Sequence, residues 1–182
     1  MSRSWTTAQP RIARFALACG AALALGAGGT ASLPPAEQLR RLEETGLDLA
    51  RKAVQQKAPL APFVFVVRSD GRTQRLAPRK TRQRQTAAQV VESLIEGLHD
   101  QAAAGAYDAV AVFRFVIISL PAGAGNSSAI HVTLEHESGR CEDVFVPYRK
   151  TEKGQVVLEP DFRRSREAQI FERCDPIPSS DP

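Results

Sequence analysis

Between Ala109 and Leu120 the chain reads Ala-Val-Ala-Val-Phe-Arg-Phe-Val-Ile-Ile-Ser-Leu, with Arg114 and Ser119 as its only polar side chains. A run this long and this rich in β-branched residues reads as a strand, and one apolar on both faces belongs in the middle of a sheet. Arg114 is the exception that has to be explained. A buried guanidinium without a partner costs several kcal/mol, so it must meet a carboxylate or reach the rim with its head group. It is the candidate buried charge of this chain, and the first residue to look for in a pocket.

The segments around that strand supply its neighbours. From Pro35 to Lys57, Leu39, Leu42, Leu49 and Ala53 recur at helical spacing, with acids early and bases late as a helix dipole favours. Gly46 lies inside this pattern and predicts a bend or a close contact, since glycine in a helix otherwise costs up to about 1 kcal/mol against alanine. Phe63 to Val67 is too short and too β-branched for a helix. Asp70-Gly71 turns it back into Thr73 to Leu76, a β-hairpin. After the basic stretch Pro78 to Gln85, Thr86 with Gln89 forms a capping box for a second helix. Val90, Val91, Leu94, Ile95 and Leu98 make its apolar stripe, and Gly105 stops it.

Beyond the central strand, Ser128 to Glu137 and Cys141 to Tyr148 read as two more strands. A three-residue loop, Ser138 to Arg140, with Gly139 left-handed, pairs Leu134 with Val144, Val132 with Val146 and Ile130 with Tyr148. One face is then wholly apolar. A two-residue turn would set Leu134 against Asp143. A short piece at Val156 to Leu158 and a mixed segment from Asp161 to Arg173 follow, with Ile170 and Phe171 expected to pin the latter onto the sheet. The expected fold is α+β: an antiparallel sheet of about five strands with two principal helices in the order α-β-β-α-β-β-β. It forms one domain over residues 36–174, with 175–182 a disordered tail.

That element order resembles roadblock, longin and profilin-like domains. The phrase Ser128-Ala129-Ile130-His131-Val132-Thr133-Leu134-Glu135-His136 with Asp143-Val144-Phe145-Val146-Pro147-Tyr148 is also similar to a group of uncharacterised bacterial exported proteins. The resemblance covers the meander and implies no activity.

The N-terminus carries Arg3, Arg11 and Arg14 and no acid, then an apolar run from Phe15 to Ala27 that ends in Gly29-Thr30-Ala31. This is the pattern of a cleavable signal peptide over residues 1–31. The run is too short and too glycine-rich for a membrane anchor, which needs about 20 apolar residues. A lipoprotein site at Cys19 would lack the leucine three residues before the cysteine. Without its three leader arginines the chain holds 21 Lys and Arg against 20 Asp and Glu. Near-neutral charge gives no global case for nucleic-acid binding. Cleavage also leaves two cysteines, Cys141 and Cys174, and an even count in an oxidising compartment predicts a disulfide. A periplasmic or secreted location follows.

The search for chemistry returns little. Cys141 as a nucleophile needs His136 or His131 as its base, but the expected register turns His136 to the opposite face and places His131 near Pro147. The best metal-like cluster, His131, Glu135, His136 and Glu137, lies along a strand. There successive residues face opposite ways and the face shared by His131, Glu135 and Glu137 spreads over roughly 20 Å, so a solvated polar face is expected and no metal or other cofactor. Gly123 and Gly125 follow a strand, but no helix opens behind them to cradle a phosphate. One charged feature remains: Arg68, Arg72, Arg75, Arg79, Lys80, Arg82 and Arg84, opposed only by Asp70. Such a patch suits a protein partner or an anionic envelope component, and no aromatic residue interleaves to stack on bases. The expectation is an exported, non-catalytic binding domain. The alternatives are a small periplasmic hydrolase or thiol enzyme, and an inhibitor or immunity-like protein.

Overall fold

A seven-stranded antiparallel sheet carries a helix on each face, as the computed structural model shows for residues 33–58, 60–76, 85–119 and 125–175. The expected leader, the basic residues Arg79, Lys80, Arg82 and Arg84, and the tail after Asp175 lie outside the described residues. In chain order the elements are α1 (Pro35–Gln55), β1 (Phe63–Arg68), β2 (Thr73–Leu76), α2 (Ala87–Ala103), β3 (Tyr107–Ser119), β4 (Asn126–His136), β5 (Cys141–Lys150), β6 (Val156–Leu158) and β7 (Phe162–Ser165). The α+β class and the order of the first seven elements are those expected. Two short strands, β6 and β7, are added to the five.

The sheet order is β2-β1-β3-β4-β5-β6, with β7 also on β5, so the apolar β3 is central. The alternation of its side chains decides what covers it. Ala109, Ala111 and Phe113 face α1, in a core with Leu39, Leu42, Phe63, Phe65, Ile130, Val132, Leu134 and Val144. Val110 and Val112 face α2 instead, packed with Val64, Val66 and Leu98. Each such fully buried aliphatic or aromatic side chain contributes about 1.5–3 kcal/mol. Gly46 has its close contact, because a Cβ there would fall within the ring of Phe113. The capping box of Thr86 and Gln89 is formed, and Gly105 follows α2 with φ +70°.

Ile170 and Phe171 are buried on the α2 face, against Val64, Val66, Val110 and Val112. The tail reaches them by pairing first with the outer edge of β5 as β7, then crossing back over β4. Cys141 and Cys174 are joined in a disulfide, with 5.5 Å between Cα atoms. That bond holds the end of the same segment.

The register of β4 and β5 differs from expectation by two residues. Leu134 lies opposite Glu142, Val132 opposite Val144 and Ile130 opposite Val146. Gly139 does take the left-handed conformation, at φ +92°, but the loop is Glu137 to Gly139, closed by the His136 amide donating to the Arg140 carbonyl. A two-residue shift keeps every side chain on its expected face. It changes who sits opposite whom. The expected register would have put Glu135 directly across from Asp143, two like charges on a buried face. In the structure Thr133 is opposite Asp143, and Glu135 is opposite Cys141.

Candidate functional site

On the α2 side several polar residues of the meander converge. Arg114 on β3 lies opposite His131 on β4, and His131 lies opposite Phe145 on β5. Arg114 Nε donates to His131 Nδ1 at 2.7 Å, and His131 Nε2 is 2.7 Å from Asp143 Oδ1. Because Nδ1 accepts, the imidazole is neutral and its proton is on Nε2, donated to the carboxylate. Its ring plane is set by stacking on Phe145, centroids 4.2 Å apart, which in turn stacks on Phe162 at 5.1 Å. Thr133 Oγ1 also donates to Asp143 Oδ1, at 3.0 Å. The expected carboxylate for Arg114 therefore exists, one imidazole further on.

The electrostatics follow from these contacts. Burial pushes the Asp143 carboxyl upward, but the His131 hydrogen bond, the nearby Arg166 charge and Thr133 outweigh it and hold the pKa below its ordinary value. Burial lowers that of Arg114 and the Asp143 charge works against this. Arg114 stays a cation throughout. Among the described residues its two Nη groups have no hydrogen-bond partner.

A second cation comes from the tail. Arg166 Nη1 lies 3.4 Å from Glu135 Oε1 and 3.7 Å from Asp143 Oδ1. Glu135 is fully buried, and its oxygens accept the backbone amides of Gln169, Ile170 and Phe171 at 2.8–3.2 Å. Three amides and a guanidinium satisfy the carboxylate, so the face of His131 and Glu135, expected to be solvated, is buried under the tail instead. The task of Glu135 is to hold the tail, and with it Arg166, against the sheet.

Arg114, Asp143 and Arg166 open onto a cleft of about 800 Å³. Arg114, Val116 and Asp143 come from the sheet, and Arg166 and Gln169 from the tail. Val91, Ile95, Leu60 and Pro62 make apolar walls, and the exposed Glu92 and Glu96 stand on α2. The size suits a small ligand, and a few convergent polar groups in an apolar pocket suit an oriented one.

The other expected site residues do not converge. Arg68 bonds Gln74, Arg72 sits in the turn beside Asp70, and Arg75 lies 5.4 Å over the Phe63 ring on the α1 side. The hairpin arginines are thus divided between both faces. Cys141 is tied to Cys174 and carries no thiolate. His136 is buried with Nδ1 accepting the Ser138 amide, and His99 is exposed on α2 beside Asp100. Among the described residues no group of three or more His, Cys, Asp or Glu could hold a metal ion, and no helix is long and apolar enough to cross a membrane.

No known protein family matches the chain, and neither a characterised protein nor a solved structure is significantly similar to it.

Proposed function

We propose that this protein is an exported, non-catalytic binding domain whose cleft between α2 and the sheet takes an apolar ligand bearing a single carboxylate. The observation that carries this reading is the fixed guanidinium of Arg114. Its Nε is committed to His131, so the planar fork is aimed before any ligand arrives while both Nη groups remain to be used. Pre-ordering of this kind removes side-chain entropy that binding would otherwise cost. A monoanion fits better than a phosphate dianion, because Asp143, Glu92 and Glu96 already place negative charge around the two arginines.

The same contacts argue against a hydrolase or thiol enzyme. The cysteine is oxidised, and His131 has both ring nitrogens occupied, so neither offers a nucleophile or a general base. The disulfide supports export to an oxidising compartment. The experiment is an NMR titration of the protein with N-acetyl-leucine. Shifts confined to the amides of Val91, Ile95, Arg114, Val116 and Gln169 are expected. Shifts clustered on the β1–β2 hairpin, or none at millimolar concentration, would overturn the assignment.

A further inference from the structure

Arg114 is one of two charges that His131 holds apart. The imidazole meets the guanidinium Nε at Nδ1 and the Asp143 carboxylate at Nε2, each at 2.7 Å, so the two charges stand at opposite ends of one ring. Both side chains line the cleft. Asp143 is only half committed. Its Oδ1 accepts from His131 and Thr133 and is the oxygen nearest Arg166, whereas among the described residues Oδ2 accepts no hydrogen bond. A further cation, Arg164, lies opposite Asp143 in the register of β5 and β7. Its head group is over the Phe145 and Phe162 rings instead, 5.7 and 5.6 Å from their centroids. The cleft thus offers a charged donor and a charged acceptor side by side, both fixed in place in advance.

We propose that the ligand of the cleft is a free α-amino acid with an apolar side chain, its carboxylate on Arg114 and its ammonium on Asp143. This rests on the cleft reading above and gives it a substrate class. The spacing fits. Two hydrogen bonds of 2.7 Å and the ring between them put Arg114 Nε and Asp143 Oδ1 roughly 7 Å apart, and the free Nη and Oδ2 atoms sit one bond angle from these. An α-amino acid with one hydrogen bond at each charged end spans about 7–8 Å from partner to partner. The charge balance points the same way. Around the relay the cations Arg114 and Arg166 are matched by the anions Asp143 and Glu135. A ligand of zero net charge with its own charges split complements such an arrangement, while an N-blocked acid leaves Asp143 unanswered. Glu92 and Glu96 on the α2 wall add to the preference for an ammonium. With both ends anchored on the sheet, the side chain turns toward Val91 and Ile95.

The test titrates L-leucine, N-acetyl-leucine and ε-aminocaproic acid into the protein, following the amides of Val91, Arg114 and Val116 by NMR. Leucine is expected to bind about tenfold more tightly than N-acetyl-leucine, the scale of one charge-assisted hydrogen bond. ε-Aminocaproic acid carries the same two charges too far apart and should bind no more tightly than N-acetyl-leucine. Asp143→Asn keeps an oxygen for His131 and Thr133 and replaces the free oxygen by an amide nitrogen. In that variant leucine and N-acetyl-leucine are expected to bind alike. Leucine no tighter than N-acetyl-leucine in the parent overturns the ammonium site and leaves the cleft reading standing, a comparison that needs no variant to fold. A leucine preference that survives Asp143→Asn overturns it too. Tighter binding of ε-aminocaproic acid than of leucine would move the ammonium to Glu92 and Glu96 and overturn the α-amino acid assignment. Failure of all three ligands removes the cleft reading itself.

Discussion

Arg114 and His131 face each other across β3 and β4, and the 2.7 Å bond between them settles two things at once. It assigns the imidazole proton to Nε2, where Asp143 accepts it, and it fixes a cation in the cleft beneath the apolar walls of Val91 and Ile95. A charge in a central strand is thereby solved by a relay across three strands rather than by a direct ion pair.

Glu135 holds the tail, so Glu135→Gln is expected to destabilise the protein by about 2–4 kcal/mol. The neutral amide keeps one acceptor for the three backbone amides, turns its –NH2 toward the Gln169 amide and leaves Arg166 without its carboxylate. Hydrogen exchange should accelerate at Ile170 and Phe171 before it does at Val110. Unchanged protection of those two amides would show that the apolar contacts alone hold the segment.

The disulfide closes a loop of 33 residues in sequence separation. On the chain-entropy account its removal costs about 3–4 kcal/mol. The paired change Cys141→Ser and Cys174→Ser is expected to lower the melting temperature by about 10 °C. It should weaken ligand binding as well, because Arg166 and Gln169 belong to the tethered segment. A melting temperature within 2 or 3 °C of the parent, on the order of 1 kcal/mol or less, would contradict the tether.

His136 predicts part of the acid response. Burial lowers its pKa below the ordinary 6.5, partly offset by Asp108 and reinforced by Arg140. The neutral form is the one the fold holds, with Nδ1 accepting the Ser138 amide and Nε2 buried with no partner among the described residues. Protonation therefore favours the unfolded chain. Its contribution is complete above about pH 6.5 and is lost as pH falls from there through the lower folded value. His136→Asn keeps an acceptor for Ser138 and removes the titration. Its unfolding free energy should fall less steeply from pH 7 to 5 than the parent's, and parallel curves would refute this.

Gly46 reverses the usual sign of a helix substitution. In an exposed helix, glycine to alanine gains up to about 1 kcal/mol. At this position the new methyl would occupy the space of the Phe113 ring, so Gly46→Ala is expected to cost about 1–3 kcal/mol in denaturant unfolding. A stabilised variant would mean that the α1 contact with β3 is looser than described.

Much of the architecture was legible because local patterns dictate it. The central strand, both helices, the capping box and the burial of Ile170 and Phe171 all follow from hydrophobic period and capping chemistry. The site was legible only at Arg114. Its partners come from β4, β5 and the tail, and the two-residue difference in register moved Asp143 away from Thr133 and His131. A signal was present: the expected register set Glu135 against Asp143, and the like-charge clash on a covered face argued for sliding the pair. Glu135 was beyond reach for another reason. Its partners are backbone amides of residues 169–171, which no side-chain pattern announces.

The account stands most directly on the difference between N-acetyl-leucine and N-acetyl-leucinamide, measured by calorimetry in the parent and in Arg114→Met. The parent is expected to favour the acid by about tenfold or more, a difference of roughly 1.4 kcal/mol, and the variant to bind acid and amide alike. An acid preference that survives the loss of Arg114 would contradict it.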